Sequence, residues 1–84
     1  MSIFISSETT LEVTILVLPE SSMLVLASLI DPMRAANRLS KRQCFNWKLV
    51  TIDGLPVKCT CGLEITPDEK YSPTDRGNLF FIVS

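Results

Sequence analysis

The sequence VTILVLPESSMLVLASLIDPMRAANRLS, residues 13–40, decides the fold of this chain. It begins with a continuous apolar and β-branched run that stops at Pro19. This run predicts a strand over residues 13–18 that is buried on both faces. A short polar turn follows, and then a helix-length segment that is apolar almost all round before it becomes basic. A buried strand that leads directly into a helix is typical of the opening unit of an α/β sandwich.

The turn after this strand supplies the first candidate site. It consists of Pro19, Glu20, Ser21 and Ser22, and either serine hydroxyl is suited to cap the helix that follows. In open α/β sheets, ligands bind in the crevice at the carboxyl ends of the strands. These four residues are therefore the candidate lining of a ligand crevice.

The helix is expected over residues 22–39, with a kink or a restart at Pro32 because proline lacks the N–H that a helix interior needs. Its first half has little polar face, so a second cover besides the sheet is expected. That cover is either a second subunit or another part of the polypeptide. The residues expected to contact it are Met23, Leu24, Leu26, Ala27 and Ile30.

The remainder predicts three more strand regions. Alternating residues over 45–53 predict a strand with Phe45, Trp47 and Leu49 on one face, where core packing is favoured over ligand stacking. After the turn at residues 53–56, two short strands over 57–60 and 63–66 form a ribbon that bends at Gly62. Residues 67–78 are expected to form a polar loop before a buried strand over 79–83. The element order is β-α-β, ribbon, β.

The length and composition of the chain limit the classes of protein to which it can belong. Eighty-four residues with 46% hydrophobic content form about one small domain. We expect residues 1–11 to be a flexible tail or edge strand and residues 12–84 to be one partial domain, truncated because its last strand needs covering helices. The net charge of −1 gives no basic surface for nucleic acid, and no apolar run is long enough for a membrane span. The three cysteines fit the cytoplasm better than a secreted disulfide scaffold.

No group of residues predicts catalysis, a metal site or a cofactor. Cys59 and Cys61 are expected on one side of a strand, but the chain has no histidine to complete a zinc site or to activate a thiol. The carboxylates are scattered, which is typical of surface charge. The turn after the first strand has no glycine, so it cannot form a phosphate-binding loop.

Three segments in this order carry a resemblance to a known family: VTILVLP at 13–19, DPMRAANRLS at 31–40 and FNWKLVTIDGLPVKCTCGLEITPD at 45–68. The chain resembles the N-terminal domain of AraC-type transcriptional regulators whose sensor half has the class I glutamine-amidotransferase-like fold of the PfpI/ThiJ superfamily. The resemblance implies a flavodoxin-like three-layer sandwich, commonly dimeric, of which this chain holds the first part. It also implies that DNA is bound only through a C-terminal helix-turn-helix domain absent from this chain.

Enzymes of this superfamily carry an acidic residue early in the first helix, and that position falls here near Leu24 or Val25. The leading hypothesis is therefore a non-catalytic fragment of a sensing and dimerisation domain, with a small-metabolite effector and a homo-oligomeric state. The first alternative is a fragment of a PfpI/ThiJ-type amidase, hydratase or glyoxalase-like enzyme. The second is a small self-associating interaction module.

Overall fold

The computed structural model describes residues 9–74 and 77–84, and these residues form one helix and six strands. The elements are β1 (Leu11–Val17), α1 (Met23–Ser40), β2 (Phe45–Thr51), β3 (Val57–Lys58), β4 (Glu64–Ile65), β5 (Glu69–Lys70) and β6 (Leu79–Val83). The expected α/β class is confirmed. No helix in the described residues combines the length and apolar character that crossing a membrane requires.

The main sheet has four parallel strands in the order β5-β2-β1-β6. β1 lies at its centre, with Ile15 beside Leu49 of β2 and beside Phe81 of β6. The connection from β1 to β2 is α1, as parallel neighbours require a crossover. β3 and β4 form a separate antiparallel hairpin, in agreement with the expected ribbon.

The core lies between α1 and one face of the sheet. β1 contributes Val13, Ile15 and Val17 to this face, and α1 contributes Leu26 and Met33. Alternate residues of a strand share a face, which explains why the odd-numbered residues of β1 all point to the helix. The expected inward face of β2 is confirmed, and its members in or against this core are Phe45, Trp47 and Leu49.

α1 begins after Ser22, whose hydroxyl accepts a hydrogen bond from the Val25 N–H at 3.3 Å. One of the two expected capping serines is thereby confirmed. The helix runs through Pro32 without interruption, so the expected restart at this residue does not occur. The helix ends at Ser40, and the C-cap residue Lys41 adopts a left-handed conformation with φ 58°.

One ring contact lies on the side of the sheet opposite α1. It involves Tyr71, which directly follows β5, and Phe80 of β6, although these two strands form opposite edges of the sheet. The Tyr71 ring lies 5.9 Å from the Phe80 ring, between centroids, and Phe80 pairs with Thr14, whose side chain points away from α1. Thr14 and Leu16, the β1 residues on this side of the sheet, are buried as well.

Several expectations need correction. β5 lies inside the segment expected to be a loop, and the ribbon strands have two residues each instead of four. Leu11 belongs to β1, one residue inside the expected tail, and residues 1–8 of that tail lie outside the described residues. Cys59 and Cys61 lie in the hairpin loop rather than on one strand face, so Cys59 is buried and Cys61 is exposed.

Candidate functional site

The turn formed by residues 19–22 lies at the carboxyl end of β1, the central strand. Ser21 holds it in place from inside the protein, since this residue is 0% exposed. Its single hydroxyl hydrogen is shared between the carbonyl oxygens of Leu18 and Val83, with an oxygen–oxygen distance of 2.7 Å to Val83. The Leu18 N–H donates to the same Val83 carbonyl at 3.0 Å. The turn is therefore fixed to the carboxyl end of β6.

The same turn is also tied to the β3–β4 hairpin. The Glu20 N–H donates to the carbonyl of Lys58 at 2.8 Å, and the Thr60 N–H donates to the carbonyl of Ser21 at 3.0 Å. Glu20 has a φ of 64°, a left-handed conformation that is unfavourable for residues with a side chain. These two hydrogen bonds hold the backbone there, and they leave the exposed Glu20 side chain at the edge of the sheet.

The four candidate crevice residues consequently have different surroundings. Ser21 is buried and uses its hydroxyl within the protein, and Ser22 caps α1. Pro19 and Glu20 are exposed and available to a ligand. We therefore restrict the candidate ligand contacts in this turn to Pro19, Glu20 and the outer surface of Ser22.

Fewer residues of α1 are available to a partner than the sequence predicted. Leu26 is 3% exposed and lies in the core, so it is not available to a partner in this structure. Met23 and Ile30 pack against the same core and are only half-exposed. Leu24, 76% exposed, and Ala27 remain on the outer surface of the helix. Periodicity could not separate these residues because this half of the helix is apolar on nearly every side.

An open depression of about 360 Å³ lies near the amino ends of β1 and β2, away from the candidate turn. Its polar side chains already bind one another and their neighbours. The Asn46 amide donates to Glu12 Oε2 at 2.8 Å, and Lys48 Nζ lies 2.6 Å from Glu69 Oε1. Because these groups are engaged, the depression offers a ligand little polar recognition, and we do not assign it as the site.

Two asparagines, which the sequence patterns did not single out, connect elements of the fold. Asn37 on α1 donates to the Phe45 carbonyl and accepts from the Phe45 N–H, both at 2.9 Å. Asn78 accepts from the Glu12 N–H through its side chain and donates to the Glu12 carbonyl through its backbone, both at 2.8 Å. Each asparagine satisfies both peptide groups of one residue at the beginning of a strand. Asn78 directly precedes a predicted strand, which was an available signal, whereas Asn37 lies inside the predicted helix and offered none.

The described residues contain no cluster of three or more histidine, cysteine, aspartate or glutamate side chains able to hold a metal ion. Cys44 and Cys59 are buried as free thiols, and the Cys44 Sγ lies 3.0 Å from the Ser40 hydroxyl. Buried cysteines of this kind act as small apolar residues.

The curated proteins to which this chain is similar are transcriptional regulators. No family model matches the chain. The chain is 42% identical over 53 residues to the HTH-type transcriptional regulator GbdR of Pseudomonas aeruginosa, covering 63% of this chain and 14% of the relative. It is 32% identical over 69 residues to the HTH-type transcriptional regulator CdhR of the same species, covering 82% of this chain and 20% of the relative. Over these segments the chain is homologous to transcriptional regulators.

A solved structure supports the fold independently. The crystal structure of an AraC family transcriptional regulator from Pseudomonas putida superposes with a TM-score of 0.79 at 22% identity, covering 88% of this chain and 46% of that chain. The chain therefore has the fold of one part of that larger structure, as the sequence predicted. It spans a fifth or less of the length of the curated relatives it matches.

Proposed function

We propose that this chain is part of the ligand-sensing and dimerisation domain of an AraC-type transcriptional regulator, with the PfpI/ThiJ-like architecture and without catalytic activity. The observation that carries the proposal is the 69-residue similarity to an HTH-type transcriptional regulator. The proposed location is the cytoplasm, because a regulator of this kind would act on the chromosome.

In this proposal, DNA binding belongs to a different segment of the regulator. A helix-turn-helix motif needs two helices, the second of which enters the major groove. The described residues contain one helix, and its inner surface packs against the sheet. The net charge of −1 also supports this division, because DNA-binding domains are normally basic.

The proposed effector is a small metabolite bound at the carboxyl end of the sheet, beside Pro19 and Glu20. Two features support this location. Parallel sheets bind ligands at this end, and the hydrogen bonds from Ser21 and Glu20 hold the turn in one conformation before any ligand arrives. A preorganised turn avoids part of the ordering cost of binding. Glu20 would accept hydrogen bonds from the effector or pair with a positive group on it.

The absence of catalysis is supported by the start of α1. Its first turn contains no acidic residue, and Leu24 and Val25 occupy the part of the helix where enzymes of the superfamily carry their acid. Neither residue can donate or accept a proton. The enzymatic alternative is accordingly the weaker one.

A screen of small metabolites by thermal unfolding tests the effector site. An effector raises the unfolding temperature by mass action, because it binds the folded chain and not the unfolded chain. We expect Glu20→Gln to abolish the shift, whereas Glu64→Gln, which alters an exposed carboxylate on the hairpin, should preserve it. A shift that survives Glu20→Gln would place the effector elsewhere.

Selection from a library of random DNA duplexes tests the assignment of DNA binding. We expect the 84-residue chain to enrich no sequence at physiological salt. Sequence-specific enrichment would show that these residues recognise DNA themselves. It would overturn the proposal that a different segment of the regulator binds DNA.

A further inference from the structure

We propose that the β3–β4 hairpin is a positioning element of the effector site. In this proposal, the backbone groups of Lys58 and Thr60 select the turn conformation in which Glu20 presents its carboxylate. The inference rests on the proposed function and deepens it, because it names residues that act on the site without touching the effector. It also implies that docking of the hairpin and binding at Glu20 favour each other.

The conformation of Glu20 belongs to a β-turn over residues 18–21, the first part of the candidate turn. Pro19 occupies the second position of this β-turn, and Glu20, at the third position, has a φ of 64°. Proline followed by a positive φ is the pattern of a type II turn, which normally has glycine or asparagine at the third position. In a type I turn the third residue has a φ of about −90°, which suits any residue type. Glu20 is therefore held in the turn form that its side chain disfavours.

The two turn forms differ in the orientation of the peptide group that carries the Glu20 N–H. A flip of this group converts a type II turn into a type I turn. In the structure, the Glu20 N–H donates to the carbonyl of Lys58 at 2.8 Å. The hairpin thus fixes the peptide group whose orientation decides the form of the turn.

Other contacts of the turn do not select this form. The Ser21 hydroxyl bonds the Leu18 carbonyl and so joins the last residue of the β-turn to the first. Such a bond closes a type I turn as well as a type II turn. Within the described part of the chain, the Glu20 side chain forms no hydrogen bond or ion pair that could hold the residue. The selection therefore depends on the hairpin.

Thr60 holds the hairpin against the turn, since its N–H donates to the carbonyl of Ser21 at 3.0 Å. The hairpin loop is closed by two bonds, from the Gly62 N–H to the Cys59 carbonyl at 2.9 Å and from the Cys59 N–H to the Leu63 carbonyl at 2.8 Å. Together with the φ of 91° at Gly62, these bonds describe a type I turn followed by a glycine bulge. Thr60 is the second residue of that turn, whose N–H the turn itself does not use. This N–H is therefore available to Ser21.

The docked hairpin and the left-handed Glu20 accordingly form one two-state element. When the hairpin loop detaches, the Glu20 N–H loses its acceptor and the β-turn relaxes to the type I form. Val57 lies in the core and Ile65 packs against it, so the base of the hairpin stays in place. Because coupling between two sites is reciprocal, an effector that binds Glu20 in the type II form strengthens docking of the hairpin.

Thr60→Pro tests the attachment of the hairpin. Proline is favoured at the second position of a type I turn, so the loop accepts it while the N–H that Ser21 receives is lost. Cys59 and Cys44 are both 3% exposed, so alkylation by iodoacetamide, read by mass spectrometry, compares the hairpin with the main core. We expect Cys59 to react about fivefold faster, the factor for one lost hydrogen bond, and Cys44 to react at its original rate. Thr60→Ala, which keeps the N–H, should change neither rate.

An equal acceleration at both thiols would overturn the proposal, because it would show that Thr60→Pro loosens the whole fold. A double-mutant cycle then tests the link to Glu20. In urea denaturation, Glu20→Gly should raise the folding equilibrium constant about two- to fivefold in the parent chain, since it relieves the left-handed conformation. In the Thr60→Pro background Glu20 has already relaxed, so Glu20→Gly should give no gain. The same gain in both backgrounds would show that the hairpin does not set the conformation of Glu20.

Amide hydrogen exchange in the unaltered chain tests the coupling without any substitution. One opening breaks both hydrogen bonds, so the protection factors of the Glu20 and Thr60 amides should agree within about threefold. A difference of about tenfold or more would contradict a common opening and overturn the proposal. These measurements use no effector, so their failure leaves the metabolite screen unaffected. A screen that yields no effector would contradict the proposed function and leave the role of the hairpin in the turn intact.

Discussion

The hydroxyl of Ser21 donates a hydrogen bond of 2.7 Å to the carbonyl of Val83, a residue 62 positions further along the chain. This bond joins the turn after the central strand to the carboxyl end of the neighbouring strand. It makes the geometry of the candidate site depend on the last strand of the described sheet. Pro19 and Glu20 form the exposed edge of the candidate site, whereas Ser21 and Val83 hold it in place.

Removing this hydroxyl should lower the stability of the chain. In Ser21→Ala the Val83 carbonyl keeps the hydrogen bond from the Leu18 N–H, so one of its two acceptor positions remains satisfied. We expect the free energy of unfolding to fall by about 1–2 kcal/mol, the cost of losing a buried hydrogen bond. Urea denaturation measures this change. Ser28→Ala, at an exposed position of α1, should change stability by less than about 0.5 kcal/mol.

Glu20→Gly should stabilise the chain while weakening effector binding. The φ of 64° costs a residue with a side chain about 1–2 kcal/mol, and glycine avoids this cost but gains freedom in the unfolded state. A net stabilisation of about 0.5–1 kcal/mol is expected in thermal or urea unfolding. Lys41→Gly, at φ 58°, should behave in the same way without affecting the effector. If Glu20→Gly destabilised the chain, its side chain would have a structural role that the described contacts do not include.

The sequence predicts the long elements of this fold because their patterns are local. The apolar run of β1, the capping serine before α1 and the alternation from Phe45 are each visible within a few residues. β5 was not predictable in this way. It has only two residues, both charged, and it is a strand only because Val50 and Thr51 of β2 lie beside it.

The candidate site was predictable in its position but not in its internal structure. A polar turn after a buried strand indicates the carboxyl edge of a sheet. Nothing local distinguishes Ser21 from Ser22, although the first is buried against Val83 and the second caps the helix. The difference depends on β6, which is distant in the sequence.

Asn37 should contribute measurably to the attachment of α1 to β2. Its side-chain amide donates to and accepts from the backbone of Phe45, both at 2.9 Å. Asn37→Ala removes both bonds and should lower the free energy of unfolding by about 2 kcal/mol. Asn37→Asp keeps the acceptor for the Phe45 N–H but turns a carboxylate oxygen toward the Phe45 carbonyl, so at neutral pH we expect a loss at least as large as in Asn37→Ala. A clearly smaller loss in Asn37→Asp would show that the bond to the Phe45 carbonyl contributes little.

Gly77 should tolerate substitution less well than Gly62. Its backbone conformation disfavours a side chain, and the surrounding atoms leave no room for one. Its φ of 64° disfavours any side chain, and a Cβ at this position would lie 2.7 Å from the carbonyl oxygen of Glu12. Gly62 also has a positive φ, of 91°, but a Cβ there meets no atom within 4 Å. Both substitutions by alanine carry the conformational cost of about 1–2 kcal/mol, and only Gly77→Ala adds a clash with backbone.

We therefore expect Gly77→Ala to destabilise the chain by about 3 kcal/mol and Gly62→Ala by about 1–2 kcal/mol in urea unfolding. The clash falls where Asn78 bonds Glu12, at the point where β6 joins β1, so hydrogen exchange should show the loss of protection first in β6. Because Val83 of that strand receives the Ser21 hydroxyl, the turn at residues 19–22 should loosen with it. Equal effects of the two substitutions would show that the contact with Glu12 relaxes without cost.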